Sequence, residues 1–480
     1  MTLLNMDEVK IDPACALAIP SKLALRRLVL PFAEVSGVVH IACLNDKDSA
    51  ALQAVKRQLA KPIEVERAEP DSLKRALQRI YQGQKAPREG RGQEPEDAVA
   101  FCESLLKAAV IRQASDIHID PGADGIDVRL RVDGRLELYG RFESRLYTPM
   151  LSRFKVLSAM DIAEKRSPQD GRFSFDASGQ KIELRTATLP TKHGERMTLR
   201  LLALQTESLS LERLGLVAAD LARLDAAIQK PHGLVLVTGP TGSGKSTTLY
   251  AALRRLLSGE PRNIITIEDP IEYDITGVAQ VEVDSADKVS FGKALRSLLR
   301  HDPDVVMIGE IRDRETADVA NKAALTGHLV FSTLHTNSAP SVVTRLVDMG
   351  VDRYLIGATL RLAMAQRLVR KLCERCREPI DIDPASAGLL GRPELAGQKT
   401  FRAPGCKYCA GRGVVGRRGV FELLDLDEQL SRLVVSGAEE LEITRAMQER
   451  GLPTLLDDAV TKMLAGLCSL DDVLKTVTSW

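Results

Sequence analysis

Long apolar runs are missing from this chain of 480 residues. None approaches the ~20 residues that a helix needs to cross a bilayer, so a helical membrane anchor is excluded and any membrane association is expected to be peripheral. The first 22 residues carry charges early and lack a basic start followed by an apolar stretch, so no signal peptide is read. Aromatic residues are scarce at 4%, with one Trp, which argues against a stacking platform for single-stranded nucleic acid. Charge of one sign is not in excess either. Lys and Arg total 66, Asp and Glu total 65, and the formal net charge is +1. A surface that binds nucleic acid by its overall field is therefore not expected, although local basic patches remain compatible with this balance. Cysteines are few and unevenly placed. Cys15, Cys43, Cys102 and Cys468 are scattered, whereas Cys373/Cys376 and Cys406/Cys409 form two C-x-x-C pairs. In a chain without an export signal, this spacing reads as a metal site and not as a disulfide framework. What is present is ordinary for a globular protein, with 44% hydrophobic and 27% charged residues. The length suggests about three domains.

Residues 1–82 predict a small α/β module. Short strands are expected at 28–32 and 38–43, and helical faces at Leu52, Val55 and Leu59 and at Leu73, Ala76, Leu77 and Ile80. Residues 83–97 contain Gly83, Gly90, Gly92, Pro87 and Pro95 and almost nothing apolar, the composition of a flexible linker. A mixed α/β domain is expected over 98–207. It opens with a helix at 99–113 and continues with alternating strands at 115–120 and 126–132, a turn at Asp133-Gly134, a helix at 150–160 and strands near 182–187 and 197–202. From 208 onward, continuous apolar strands at 234–237, 264–267, 305–308 and 329–332 alternate with helices. That pattern predicts a mostly parallel sheet covered on both faces.

Gly239-Pro240-Thr241-Gly242-Ser243-Gly244-Lys245-Ser246 fits the phosphate-binding pattern G-x-x-x-x-G-K-[ST]. An apolar strand enters it, and a helix-like run beginning at Thr247 leaves it. The glycines let backbone N–H groups face phosphate oxygens at a helix N-terminus. Lys245 supplies charge at the β- and γ-phosphates, and Ser246 offers a hydroxyl to Mg²⁺. Residues 239–247 are the expected nucleotide-binding segment. Hydrolysis also needs carboxylates to help hold Mg²⁺ and to orient water. Glu268 and Asp269 follow one buried strand, and Glu310 follows another after Gly309, at the strand ends where open α/β sheets bind ligands.

The two C-x-x-C pairs lie 29 residues apart. Four thiolates suit tetrahedral Zn²⁺ in a structural site, with an iron–sulfur cluster as the lesser alternative, so Cys373, Cys376, Cys406 and Cys409 are the expected ligands of an insertion at about 371–416. Its edges are basic, with Arg367, Arg370, Lys371, Arg375, Arg377, Arg412, Arg417 and Arg418. A solvated basic face is one reading. Contact with anionic lipid headgroups or an acidic loop of a membrane protein is the other.

In combination these motifs resemble the secretion ATPase superfamily that powers type II secretion and type IV pilus assembly. The resemblance rests on the P-loop, the acidic box Ile267–Tyr273, the Walker B-like stretch Asp302–Asp313 and the histidine box Thr326–Asn337. It also rests on the upstream segments Ser115–Ile119 and Arg166–Arg172. It implies a RecA-like P-loop ATPase domain over 208–480, carrying the tetracysteine zinc insertion and a helical C-terminal part. A PAS-like α/β domain at 98–207 and a small first N-terminal domain at 1–82 that docks a partner would precede it. By the same resemblance Glu310 looks like the catalytic glutamate, and Glu268 and Asp269 look like residues near Mg²⁺ and the attacking water. His328 and His335 match the coupling histidines, and Arg185 and Arg200 resemble arginines that reach the phosphates. Arg296 and Arg300 would serve the nucleotide site or a subunit contact, with surface salt bridging as the other reading. Some pilus members bind a cyclic dinucleotide in the first domain, a role not assigned to this shorter segment.

The expected protein is a cytoplasmic homo-hexamer, peripheral at the inner membrane. It would use ATP, Mg²⁺ and structural Zn²⁺ and work on the cytoplasmic parts of secretion or pilus platform proteins, with no nucleic acid as partner. The tetracysteine insertion resembles assembly-type members more than retraction motors. The rivals are a pilus-retraction or DNA-uptake ATPase of the same superfamily, a nucleic-acid translocase and a nucleotide-binding scaffold.

Overall fold

The computed structural model describes residues 3–35, 37–46, 49–59, 61–81, 98–177, 180–202, 210–283 and 291–477. The linker expected at 83–97 and the end of the second expected domain, 203–207, lie outside the described residues. The chain divides into two compact units. One comprises Met1–Leu204, Leu372–Glu378 and Ala403–Gly416, and the other Gln205–Lys371, Pro379–Arg402 and Arg417–Trp480.

The first unit contains two sheets. In the smaller, the strand Val38–Cys43 runs antiparallel to Val29–Val35 and parallel to Ile63–Arg67. The helix Pro70–Tyr81 buries Leu73, Ala76, Leu77 and Ile80. These positions recur at helical spacing, so one stripe meets the core and the rest faces solvent. The larger sheet has six antiparallel strands in the spatial order Arg135–Phe142, Ile126–Val132, Ala114–Pro121, Gly194–Leu202, Gln180–Thr191, Gln169–Ala177. Ile126, Val128, Leu130 and Val132 are buried, and the residues between them are only half-buried, because a strand turns successive side chains to opposite faces. Asp133 and Gly134 both take positive φ, 49° and 82°, as the tight hairpin turn requires. The helices Ala98–Ile111 and Ser144–Leu157 bring Phe101, Leu105, Met150 and Phe154 into the core of this sheet. The second of these helices starts six residues before the expected Met150. Pro149 lies inside this helix.

The second unit is built on seven strands in the order Ala279–Glu282, Ile264–Glu268, Val305–Ile308, Leu329–Leu334, Gly233–Thr238, Leu360–Leu372, Val414–Asp425. The first six are joined by parallel pairing. Alternate residues of the central strands enter two different cores. Leu234, Leu236, Ile267, Ile308 and Val330 pack on one face, and Val235, Val237, Val305, Met307 and Phe331 on the other. Burial on both faces is why these strands read as unbroken apolar runs. The chain leaves this unit after Lys371 for the first C-x-x-C pair and again after Arg402 for the second. No helix among the described residues is long and apolar enough to cross a membrane.

Candidate nucleotide site and cysteine cluster

The strand order assembles the candidate site. In parallel strands every C-terminal end falls on the same edge of the sheet, and that edge is where such sheets bind ligands. Four adjacent strands end there in succession. Ile264–Glu268 delivers the acidic box, Val305–Ile308 delivers Gly309 and Glu310, Leu329–Leu334 delivers His335, and Gly233–Thr238 delivers the P-loop.

The P-loop passes from its strand into the helix Lys245–Leu257. Gly239, Gly242 and Gly244 have φ of 149°, 79° and 91°. At Gly239 a Cβ would stand 2.4 Å from the Gln366 carbonyl oxygen and 2.7 Å from Ser243 Oγ. Both the backbone angle and the space therefore demand glycine. Gly239→Ala is expected to abolish nucleotide binding, measured with a fluorescent ATP analogue, while a reading of the loop as a ligand-free turn predicts unchanged affinity. Lys245 Nζ donates to the carbonyls of Gly239 at 2.8 Å and Pro240 at 3.2 Å. Its burial pushes the ammonium pKa down, and the Glu310 carboxylate opposes that shift. Ser246 is exposed at the first turn of the helix.

Glu310 has 16% of its side chain accessible, pairs with Arg312 and lies 3.4 Å from His335 Nε2. The loop beneath it is tied down on both sides. The Gly309 amide donates to the Ile267 carbonyl at 2.7 Å, and Thr333 Oγ1 donates to the Gly309 carbonyl at 2.7 Å. A Cβ on Gly309 would stand 3.3 Å from the Ile267 oxygen and 3.5 Å from Glu268 Cα, so this small residue lets the two acidic segments run side by side. Asp269 is exposed and close enough to Arg312 to raise its pKa alongside Glu310. Glu268 is placed differently. It is buried, and its carboxylate accepts from Tyr250 Oη, from Thr266 Oγ1 at 2.6 Å and from Gln280 Nε2 at 3.0 Å. These bonds tie the P-loop helix to the acidic box. The two histidines are also separated. His335 follows the strand Leu329–Leu334 and faces Glu310, whereas His328 precedes it, with Nδ1 3.0 Å from the Ala323 carbonyl. The six-residue strand between them spans roughly 20 Å.

Arg185 and Arg200 belong to the six-stranded sheet and stand opposite each other on adjacent strands. The same cross-strand row continues to Arg172 on one side and to Asp116 and Arg131 on the other. Arg200 Nε donates to Asp116 Oδ1 at 2.9 Å. Burial works against ionisation of Asp116, but the Arg200 guanidinium and the Ser115 hydroxyl outweigh it and hold the carboxyl below its ordinary pKa. Arg296 pairs with Glu315, and Arg300 donates to the Arg296 carbonyl at 3.0 Å.

Two further residues support the site from the strand beside the P-loop strand. Gln366 is buried, accepts from Thr248 Oγ1 at 2.7 Å and backs the loop at Gly239 and Gly244. Arg367, read only as part of a basic edge, is buried. It donates to the Gln366 carbonyl at 3.1 Å and to Asn337 Oδ1 at 3.3 Å, joining the P-loop's support to the histidine box. The signal was a Gln-Arg pair interrupting the apolar stretch Leu362–Val369 within the strand Leu360–Leu372.

The four paired cysteines come together. Their sulfurs lie within 4.8 Å of one another, with Cys373–Cys406 and Cys406–Cys409 at 3.8 Å and Cys376–Cys409 at 4.0 Å. Four ligands at a Zn–S length of about 2.3 Å require tetrahedral S···S edges of about 3.8 Å, and these three separations match that length. The separations also exclude disulfides, whose S–S length is about 2.05 Å. Cys409 Sγ accepts from the amides of Cys406 at 3.1 Å and Gly413 at 3.2 Å, the kind of support that a metal-bound thiolate receives. The other four cysteines are buried thiols. Three of the eight basic-edge residues form ion pairs within the chain. Arg370 pairs with Asp472, Arg375 with Glu8 and Arg412 with Glu137.

Comparison with known proteins agrees with this geometry. Residues 93–475 match the type II/IV secretion system protein family, and residues 1–87 match the MshEN domain. The chain is 40% identical to type II secretion system protein E of Pseudomonas aeruginosa over 94% of its own length and 96% of that protein. It is 45% identical to the type II secretion system ATPase E of Vibrio cholerae over 78% of its length and 75% of that protein. The crystal structure of the pilus retraction motor PilT with bound ADP superposes with a TM-score of 0.53 at 28% identity, covering 78% of this chain and 96% of that one. The chain belongs, as a P-loop ATPase, to the type II/IV secretion system protein family.

Proposed function

We propose that this chain is a Mg²⁺-dependent motor ATPase that works as a homo-hexamer on the cytoplasmic face of the inner membrane. Its work is the assembly of a type II secretion pseudopilus or a type IV pilus, through cytoplasmic parts of membrane platform proteins. The observation that carries the reading is the single sheet edge on which the acidic box, Glu310, His335 and the P-loop end side by side. Near-full-length identity with a type II secretion protein supports the secretion branch.

In this reading the backbone amides of 239–244 and Lys245 hold the phosphates of ATP. Ser246 and Asp269 present the hard oxygen donors that suit Mg²⁺, which when bound would neutralise charge on the β- and γ-phosphates. Glu310 orients and deprotonates the attacking water. His335, 3.4 Å away, positions the Glu310 carboxylate. Arg185 and Arg200 supply guanidinium charge to the γ-phosphate in the transition state. Glu268 acts through Tyr250, Thr266 and Gln280 as a positioning residue that keeps the acidic box on the P-loop helix. The cysteine cluster holds one structural Zn²⁺. Because Arg370, Arg375 and Arg412 are spent on internal partners, contact with anionic lipid is not what the reading rests on.

The test is ATPase rate against protein concentration, with light scattering for assembly. Specific activity is expected to rise as the chain assembles and to fall at least tenfold in Arg185→Ala. Activity independent of concentration and of Arg185 would overturn the ring mechanism while leaving the P-loop assignment in place.

A further inference from the structure

The cysteine cluster sits against the first N-terminal domain, and its contacts there come from residues next to the cysteines. Lys407–Cys409 forms a short 3₁₀ turn between the last two of them. The Tyr408 ring packs on the hydrophobic core of residues 4–81, and its carbonyl accepts the Lys10 amide at 2.9 Å. Lys407 pairs with Glu66. Arg375, between Cys373 and Cys376, pairs with Glu8 at 2.8 Å and lies 5.2 Å from the Tyr408 ring centre.

This contact surface has little of its own to hold its shape. Within 403–416, Cys409 is the one buried side chain. The segment bends through positive φ at Gly405, Ala410, Gly411 and Gly413. A stretch without an apolar core depends on cross-links, and four sulfur–metal bonds at one point would supply them. We infer that the metal-loaded cysteine cluster is the clamp that docks the first N-terminal domain, through Tyr408, Lys407 and Arg375, and that loss of the metal releases that domain. The inference rests on the zinc reading proposed above. It gives the insertion a task apart from ATP chemistry, namely setting how freely the partner-docking domain moves.

The experiment uses the full chain, with zinc content measured by elemental mass spectrometry and local opening by hydrogen exchange. The reporter is the peptide that includes the Lys10 amide. Peptides within 38–43 and 126–132 report whether the two N-terminal sheets stay folded. Chelation of the metal is expected to speed exchange at the reporter at least tenfold and to leave both controls unchanged. Tyr408→Ala, which keeps all four cysteines, is expected to retain one zinc and still lose reporter protection. Lys407→Glu is expected to speed exchange, and adding Glu66→Lys to restore most of the protection. A chain that holds zinc and keeps reporter protection after chelation, or in Tyr408→Ala, overturns the clamp alone. A purified chain without zinc overturns the metal reading, and the clamp falls with it.

Discussion

Glu310→Gln is expected to lower kcat by about 10²–10⁴-fold, the range associated with loss of a general base, while nucleotide affinity stays within a few-fold of the parent. The asymmetry follows from where the side chain stands. In the proposed reading, binding is carried by the loop amides and Lys245, which a neutral isostere at 310 leaves in place. Activation of water needs the carboxylate, and Gln has the same shape without the basicity. Arg312 and His335 fix the carboxylate now, and the Thr333 and Ile267 hydrogen bonds fix the loop beneath it. The variant should therefore keep its fold, and a single-turnover measurement beside equilibrium nucleotide binding separates the two effects. Near-parental hydrolysis would show that another carboxylate activates the water. Asp269, exposed beside Arg312, would be the first to test.

Removing Asp458 is expected to be among the most destabilising substitutions in the ATPase unit. Asp458 and Lys462 lie one turn apart on the helix Leu455–Leu464, with exposures of only 4% and 3%. Lys462 Nζ donates to Asp458 at 2.5 Å and to the Gly419 carbonyl at 2.8 Å, and Asp458 accepts the Phe421 amide at 2.8 Å. The pair thus fastens a C-terminal helix to the edge strand Val414–Asp425. Burial pushes the Asp458 carboxyl pKa up and the Lys462 ammonium pKa down, and each charge relieves the other. Deleting one partner strands the other in the interior, at a cost of about 3–5 kcal/mol. For a unit of this size that corresponds to a fall in unfolding temperature of about 6–20 °C. Asp458→Ala measured by calorimetry tests the magnitude. The double substitution Asp458→Leu with Lys462→Met should recover most of the loss, because two apolar residues leave no charge unpaired. A single variant within 1 kcal/mol of the parent, by the ~1.4 kcal/mol-per-decade scale of folding equilibria, would show that water reaches the pair.

Several features were legible in the chain alone because they are local. The P-loop needs its glycines, lysine and hydroxyl within eight successive residues, since one turn of backbone must wrap one phosphate group. The alternation at 126–132 and the unbroken apolar runs at 234–237 and 305–308 report one-sided and two-sided burial directly. The Asp133-Gly134 turn and the helix Pro70–Tyr81 follow from short-range sterics and spacing. The cysteine spacing pointed to a tetrahedral metal site, and the sulfurs converge at the distances that such a site needs.

Tertiary structure decided the rest, because pairing between distant segments leaves no periodic trace in either of them. Strand order, and not motif order, brings Glu310, His335 and the P-loop to one edge. The same strand that carries His335 to that edge holds His328 at its opposite end, a separation hidden by their nearness in sequence. The sequence shows that Glu268 is acidic, but only the fold shows that Tyr250, Thr266 and Gln280 enclose its carboxylate. Gln366 and Arg367 acquire their positions only when the strand Leu360–Leu372 lies beside the P-loop strand. Arg370, Arg375 and Arg412 read as part of a basic edge, either solvated or facing a partner, and they meet Asp472, Glu8 and Glu137, each more than 100 residues away. A charge shows its sign in the sequence, but whether it faces water, a ligand or a partner within the chain depends on which distant segment folding brings against it.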